Sequence, residues 1–295
     1  SALKFLMEFE RMEFIPAVEM LAAKAGMEVP RDKNQASPEV SRRRKTIYEI
    51  LDQASIHFQE ELRSNSTRDH AVSYLKNRGL SGEIARDFAL GYAPPGWDNL
   101  YSKLANSNYE RGLLIESGMV VENKDEDKTY DRFRDRIMFP IRDLRGRTIA
   151  FGGRVLGDGK PKYLNSPENP IYHKSKVLYG FYFAKKSVSS KDNCFIVEGY
   201  TDVISLFQSG VENVVSASGT ALSTEQINLI GRFSKNITIL FDGDDAGLNA
   251  SFKSIDLILS EGMNVQIVMF PEGEDPDSYA QKLSQEDFHF YLEKN

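Results

Sequence analysis

The chain has 295 residues, of which 41% are hydrophobic and 27% are charged, a composition typical of soluble globular proteins with about two domains. No apolar run approaches the roughly 18 residues that span a bilayer, and no signal-peptide pattern is present, so we expect a cytoplasmic protein without a membrane partner. The single cysteine, Cys194, excludes an internal disulfide and a cysteine-based zinc site within this chain.

The net charge of −6 argues against a nucleic-acid partner, but the charge is unevenly distributed. Residues 131–186 contain 13 Lys and Arg against 5 acids, whereas residues 191–295 contain 17 acids against 6 bases. A basic middle followed by an acidic last third indicates a polyanion-binding surface beside a metal site. Two solvated faces of opposite sign would give the same pattern.

The chain begins with helical patterns. Residues 1–29 predict two short helices without a core of their own, with Pro16 in a first turn and Gly26 at a helix end. Residues 30–44 are polar and contain proline, which predicts a linker. Helical periodicity resumes from Arg44.

The middle of the chain changes to a strand pattern. Alternating apolar and polar residues around Gly146 predict antiparallel strands. Arginines interleaved with Phe133 and Phe139 can hold phosphates on one sheet face while the rings stack on bases. Alternatively, Arg132, Arg134 and Arg136 pair with Asp131, Asp135 and Asp143. The loop that follows, residues 161–174, is polar and irregular, as functional loops often are.

The last section alternates strands and helices. We predict strands near residues 195–197, 213–217, 237–241 and 265–269, with helices between them. Such β/α units imply a parallel sheet with helices on both faces.

Acids follow three of these strands, at the sheet edge where open α/β folds build their sites. They are Glu198 and Asp202, then Asp242 and Asp244, then Asp275 and Asp277. Clustered carboxylates repel one another and raise each other's pKa unless a cation is bound, so a divalent metal is the simplest explanation. Six carboxylates exceed what one Mg²⁺ takes, which favours two or more metal ions. We expect Asp245 to cap the next helix instead.

Other protein classes share parts of this acid pattern. A phosphatase with an aspartyl nucleophile explains Asp242 and Asp244 but not Glu198 or the basic middle. A phosphoacceptor (receiver) domain would use one Asp with a nearby acidic pair, in about 120 residues. A metal-dependent nuclease or a non-catalytic DNA-binding module is the main alternative.

The acid pattern resembles the signature of the Toprim domain, with Glu198 after the first strand and Asp242 and Asp244 after the third. Toprim domains occur in primases, topoisomerases, small repair proteins and some nucleases. Three further stretches distinguish among these families: residues 132–141, 161–168 and 198–203, together with His173 and Lys174. From about residue 40 to its end, the chain resembles the bacterial replicative DNA primases, the DnaG family.

This resemblance implies an α/β fold with a Toprim-type parallel sheet flanked by helices, in residues 191–295. A basic subdomain of mixed helices and antiparallel strands, residues 45–190, precedes it. Residues 1–29 resemble the last helices of a zinc-binding domain whose ligands, three cysteines and a histidine, are absent here. The implied zinc therefore belongs only to that missing domain. A helicase-binding C-terminal domain and the helical end of the core are also expected to be missing.

The implied activity is synthesis of RNA primers on single-stranded DNA from ribonucleoside triphosphates. Mg²⁺ or Mn²⁺ ions held by the six acids would serve catalysis by Glu198, Asp242 and Asp244. The resemblance assigns the template to Arg132, Arg134, Arg136, Arg142 and Arg154, and nucleotide phosphates to Lys162, Asn165 and Lys174. It also implies the replicative helicase as a partner, through the missing domain, and guanosine tetraphosphate-type alarmones ((p)ppGpp) as competitors of the nucleotide.

Overall fold

The computed structural model describes residues 2–12, 14–27, 37–107, 109–123, 128–219, 221–241, 254–271 and 273–294. It divides into two compact units, Ser1–Arg42 and Arg43–Asn295. Among the described residues, no helix is long and apolar enough to cross a membrane.

The first unit contains the two helices that the sequence predicts, α1 (Ala2–Phe9) and α2 (Phe14–Lys24). The rings of Phe5 and Phe9 stack on α1 with centroids 5.3 Å apart. Gly26 has a positive φ of 65°, which a glycine adopts without strain, and it follows the end of α2 as predicted.

The helix α3 (Pro38–Ser64) begins earlier than the sequence analysis places it. Ser37 Oγ accepts a hydrogen bond from the Val40 amide at 3.3 Å, and Pro38 occupies the first helical position. Ser-Pro-Glu is a helix-start pattern, because the hydroxyl caps an amide and proline has no amide to satisfy. Residues 38–44, predicted as linker, are therefore helical, whereas residues 28–36 lie outside the described part.

The remaining elements of the second unit alternate between helices and short strands. They are α4 (Asp69–Asn77), α5 (Gly82–Asp87), β1 (Gly91–Ala93), α6 (Asn99–Ala105), α7 (Arg111–Glu116), β2 (Val120–Asn123), β3 (Lys128–Asp131), β4 (Arg136–Arg142), β5 (Thr148–Val155), β6 (Tyr163–Asn165), α8 (Phe181–Lys191), β7 (Cys194–Val197), α9 (Tyr200–Gln208), β8 (Val214–Ser216), α10 (Thr224–Gly231), β9 (Asn236–Phe241), α11 (described over residues 254–260), β10 (Asn264–Met269), α12 (Pro276–Lys282) and α13 (Gln285–Lys294).

The four predicted strands of the last section form one parallel sheet in the order β10-β9-β7-β8, which confirms the predicted class. Successive residues of a strand point to opposite faces, so both faces of this sheet are apolar. Ile196 and Ile239 pack in a core with residues of α8, α10 and α11, whereas Val197 and Leu240 pack with residues of α9, α12 and α13. Helices therefore cover both faces, as predicted.

The antiparallel strands predicted around Gly146, β4 and β5, are the centre of a second sheet in the order β1-β4-β5-β6. The outer strands were not predicted: β1 follows a helical pattern, and β6 lies in the segment predicted as an irregular loop, where it pairs with β5 through residues 163–165. One face packs on α3, where Phe58 meets Phe151 edge-on at 5.4 Å. The other face contributes Ile137 and Phe139 to the same core as α9 and the parallel sheet. Residues 45–190 and 191–295 thus share a hydrophobic core, which fixes the position of one sheet relative to the other.

The buried carboxylate of Asp131 supports the region around α6. Its two oxygens accept hydrogen bonds from the amides of Leu100 and Tyr101, each at 2.8 Å. Burial raises the pKa of Asp131 to about 6, although these amide donors favour the charged form. Between pH 4 and pH 6 the folded chain therefore binds more protons than the unfolded chain.

This raised pKa predicts a loss of stability as the pH rises from 4 through 6, by about 2 kcal/mol relative to pH 4. Asp131→Asn keeps an amide oxygen as acceptor but cannot ionise, so the loss between pH 4 and pH 7 should be smaller by about that amount. Urea unfolding at pH 4 and pH 7 measures this difference in the free energy of unfolding. Asp98→Asn, which changes an exposed acid near Asp131, is the control. Equal pH dependence in Asp131→Asn and the parent chain would contradict the prediction.

Candidate active site and nucleic-acid face

The first pair of predicted acids lies at the junction of β7 and α9. Glu198 is exposed directly after β7, and its carbonyl accepts a hydrogen bond from Ser216 Oγ at 2.6 Å. Asp202 lies in the first turn of α9, where its carboxylate accepts from the Gly199 amide at 2.8 Å. A carboxylate at this position also complements the helix dipole. The two acids therefore lie on either side of one strand-to-helix turn, as predicted.

The last pair of acids lies at the start of α12. Asp275 Oδ1 accepts from the Ser278 amide at 2.6 Å and caps the helix. Asp277 is 3% exposed, and its carboxylate accepts from Arg78 Nη1 at 3.3 Å, from Gln281 Nε2 at 2.6 Å and from Ser205 Oγ. Asp277 thereby joins α12 to α4 and α9.

Asp202 interacts electrostatically with both acids of the last pair. Desolvation, together with the charges of Asp277 and Asp275, raises the pKa of Asp202 to about 6, although the Gly199 amide and Arg78 favour the charged form. A cation beside Asp202 would offset this cost of burying like charges. Within the described ranges, however, no three acid, histidine or cysteine side chains are close enough to hold an ion by themselves.

The third predicted pair, Asp242 and Asp244, lies outside the described residues, as does Asp245. The strand before them, β9, runs parallel to β7, with Ile239 opposite Ile196. Phe241, the last residue of β9, is therefore at the same sheet edge as Glu198. This topology agrees with the expectation that the acids follow neighbouring strands, and their ligand roles stay predictions.

The three predicted nucleotide-binding residues have different surroundings. Asn165 Oδ1 accepts from the Tyr200 hydroxyl at 2.6 Å, while its Nδ2 donates to the Ser218 carbonyl at 3.3 Å. Lys162 is exposed. Lys174 is half-buried, and burial lowers its pKa. Asn165 therefore already supports the strand-to-helix turn, whereas the two lysines offer positive charge.

The predicted DNA-binding arginines do not form one row on a sheet face. Arg132 and Arg134 lie in the loop between β3 and β4, and Arg132 Nε donates to the Gly118 carbonyl at 2.8 Å. Arg136 is 6% exposed and donates to the Gly153 carbonyl at 3.0 Å. The alternative ion pairs are also not the ones found, since Asp135 contacts His70 at 2.8 Å and Asp143 contacts Arg147 at 2.7 Å.

The two other arginines pack on aromatic rings. Arg142 lies 5.2 Å from the ring centroid of Phe183. Arg154 lies 4.4 Å from that of Tyr74, and its Nη1 donates to the Val155 carbonyl at 3.0 Å. Their role in binding DNA stays a prediction.

Arg134 is part of an arrangement that the sequence analysis missed. Its guanidinium lies 4.1 Å from the ring centroid of Trp97 and 5.2 Å from that of Tyr130. Trp97 is 62% exposed, so a large ring lies at the surface beside a cation. Exposed aromatic rings next to arginine are suited to stacking on nucleic-acid bases. The available signal was the single tryptophan, in a Pro- and Gly-rich turn after β1.

Arg78 was also missed, because its partner Asp277 is 199 residues away in the sequence. Besides this ion pair, its guanidinium lies 5.9 Å from the ring centroid of Tyr74. No local pattern distinguishes it from the other arginines of the helical region.

Two family models match consecutive parts of the chain. Residues 57–185 match the N-terminal domain of the DNA primase catalytic core, and residues 195–280 match a Toprim-like family. We call the carboxyl end of β7 and β9, where Glu198 and Asp202 lie, the acid-bearing edge of the parallel sheet. This edge, the fold and the two matches define the class of protein: a catalytic core with a Toprim-like domain.

Individual relatives agree with this class. The DNA primase of Pseudomonas aeruginosa is 48% identical over 293 residues, which cover 98% of this chain and 44% of that protein. A crystal structure of a DNA primase domain from P. aeruginosa has a TM-score of 0.80 at 48% identity, covering 84% of this chain and 78% of that one. A DnaG primase catalytic domain bound to single-stranded DNA has a TM-score of 0.78 at 41% identity, covering 86% and 82%.

The chain belongs to the bacterial DNA primase (DnaG) family, which confirms the resemblance in its sequence. It spans less than half the length of the P. aeruginosa primase.

The Arg78–Asp277 ion pair predicts a stability effect. Arg78→Gln leaves a buried carboxylate without its cation, so the free energy of unfolding should fall by about 2 kcal/mol. Chemical unfolding measures it. Arg86→Gln is the matched control, because Arg86 contacts carboxylates at an exposed surface and should lose less than about 0.5 kcal/mol.

A double-mutant cycle with Asp277→Asn separates the ion pair from other effects of each change. Asp277→Asn should lower the free energy of unfolding by less in the Arg78→Gln variant than in the parent chain. Additive costs would show that the contact between Arg78 and Asp277 does not stabilise the fold.

Proposed function

We propose that this chain is a catalytic core that synthesises short RNA primers on single-stranded DNA by metal-dependent nucleotidyl transfer. The observation that carries the proposal is the acid-bearing edge of the parallel sheet, where the half-buried Asp202 lies beside Asp275 and Asp277 and has a pKa raised to about 6. Membership of the primase family supports it, as does the solved DnaG catalytic domain that is bound to single-stranded DNA.

The donor set of this edge fits Mg²⁺ or Mn²⁺, because carboxylate oxygens are the ligands that these hard cations prefer. We propose that Glu198, Asp242 and Asp244 hold two or more ions, with Asp202, Asp275 and Asp277 completing the site. Such ions would stabilise negative charge on the phosphoryl oxygens and activate the attacking ribose hydroxyl. Asp277 already accepts hydrogen bonds, so a metal ion would compete with those donors for it.

The chain's own residues would then orient the substrates. Lys162 and Lys174 would bind the triphosphate of the incoming ribonucleotide, because the ammonium group of a lysine donates hydrogen bonds to negatively charged phosphate oxygens. Asn165, held by Tyr200, would position the same phosphates. An alarmone with a similar phosphate chain would compete for these lysines.

The template would lie along the basic part of the chain, with Arg134 as its best-supported contact. Its guanidinium can pair with a backbone phosphate while Trp97 stacks on a base. Arg134 Nη1 also donates to a backbone carbonyl, that of Asp131, but its guanidinium lies beside the exposed ring of Trp97. Arg136 is buried and Arg132 is half-buried, and each donates to a backbone carbonyl, so both would contribute mainly by fixing this loop.

Asp242→Asn tests the catalytic part of the proposal. We expect primer synthesis to be abolished, because a metal ligand is lost, while template affinity is unchanged or raised by removal of a negative charge near phosphates. Primer extension on single-stranded DNA with Mg²⁺ or Mn²⁺ and fluorescence anisotropy with labelled template measure the two quantities. Asp256→Asn, at an exposed position of α11, should change neither.

Two outcomes would contradict this account. If Asp242→Asn loses both its template affinity and its folded structure, Asp242 has a structural role. Metal-dependent cleavage of the template by the parent chain, without primers, would favour the nuclease alternative.

Arg134→Ala tests the template contact. Removing one phosphate contact and the stacked guanidinium should weaken template binding about tenfold and reduce the slope of log affinity against log salt by about 1. Anisotropy titrations at several salt concentrations measure both. Lys191→Ala, an exposed cation at the end of α8, should leave both unchanged, and an unaltered salt slope in Arg134→Ala would remove Arg134 from the interface.

A further inference from the structure

A cavity of about 220 Å³ opens at the surface of the second unit, between α3, α4 and α5. It contains none of the acids, lysines or arginines assigned above to metal, nucleotide or template. Its floor consists of apolar side chains: Leu62, Val72, Leu75, Leu80, Ala85 and Leu90. The cavity is smaller than the roughly 300–1,000 Å³ of typical cofactor and small-molecule sites, and it suits one or two inserted side chains.

The rim of the cavity is positively charged. Arg63, Lys76 and Arg86 line it, and no acidic side chain does. Arg63 contacts the amide oxygen of Gln59 at 3.5 Å, and Arg86 is flanked by Glu83 and Asp87 on its own helix. The charge that faces an incoming group is therefore mainly that of Arg63 and Lys76.

The acids of α3 next to this rim are directed to other partners. Glu60 pairs with Lys103 at 2.6 Å, and Glu61 contacts His57 and Asn65. The closest contacts of these carboxylates are therefore not with Arg63, although the charge of Arg63 contributes, after that of Lys103, to lowering the pKa of Glu60. The cavity thus combines an apolar floor with a cationic rim, a combination that selects an apolar group next to negative charge.

We propose that this cavity docks an acidic peptide segment of a partner protein, which inserts a bulky apolar side chain between α3, α4 and α5. The apolar side chain gains burial against Leu75, Leu80 and Leu90, and the flanking carboxylates pair with Arg63 and Lys76. An amphipathic segment in a groove between helices is a common mode of peptide recognition.

The experiment uses the whole chain and three fluorescent ten-residue peptides. The first carries a phenylalanine and a leucine among four glutamates, the second replaces the two apolar residues by alanine, and the third replaces the glutamates by lysine. We expect the first peptide to bind at least tenfold more tightly than either of the others by fluorescence anisotropy. Its affinity should also fall as salt concentration rises.

Variants of the chain locate the binding. Arg63→Glu and Lys76→Glu should each weaken the first peptide at least fivefold, and Ala85→Leu should do so by filling the cavity. Lys191→Glu, a charge reversal on α8, is the matched control and should retain binding. Circular dichroism melting curves for each variant establish that it is folded before affinities are compared.

Three results would overturn the proposal. The first is equal binding of the three peptides, and the second is undiminished binding of the first peptide by the folded cavity variants. The third is displacement of the first peptide by a twelve-nucleotide oligothymidylate, if Arg63→Glu and Lys76→Glu weaken binding of that oligonucleotide and Ala85→Leu does not. That result would assign the rim to nucleic acid.

Discussion

The packing of Tyr200 against the antiparallel sheet is the constraint on which the acid-bearing edge depends. Its ring stacks on Phe139 with centroids 5.1 Å apart and planes at 11°, and meets Tyr179 edge-on at 4.7 Å. Gly152 in β5 leaves room for the ring, because a Cβ there would overlap it. The Tyr200 hydroxyl also donates to Asn165. A fully buried aromatic ring with a satisfied hydroxyl has few alternative positions, so the first turn of α9 is fixed relative to the sheet.

This constraint explains how like charges are held together at one edge. Glu198 and Asp202 lie two residues before and after Tyr200, so locking the ring also locks the turn that carries them. From the other side, Arg78 and Ser205 hold Asp277 close enough to raise the pKa of Asp202. Neither acid can move far from the other without breaking buried contacts. The core supplies the free energy that keeps an electrostatically unfavourable cluster in place, and a bound cation would lower that cost.

Local sequence patterns are sufficient to predict the parallel sheet. Its strands are short β-branched runs that end at acids or turn residues, and helices cover them on both faces. Local patterns were insufficient for α3, since a proline that starts a helix was interpreted as part of a linker. They also could not identify Arg78 or Tyr200 as supports of the site, since the partners of these residues are 199 and 35 positions away. Charge and ring type are visible in a sequence, but which ring meets which charge is decided by tertiary packing. The carboxyl edge of a sheet is different, because topology alone brings its acids together.

The arginines show why a charge count overestimates a nucleic-acid surface. Arg136 is buried against the Gly153 carbonyl, and Arg132 donates to the Gly118 carbonyl. Burial lowers the pKa of both, yet a guanidinium stays protonated, so each must satisfy its donors within the protein. These side chains stiffen the loop between β3 and β4, and Arg134 is then presented beside the exposed ring of Trp97. A net charge of −6 therefore does not argue against the proposed template, because affinity for a polyanion depends on the local arrangement of charge and stacking surface.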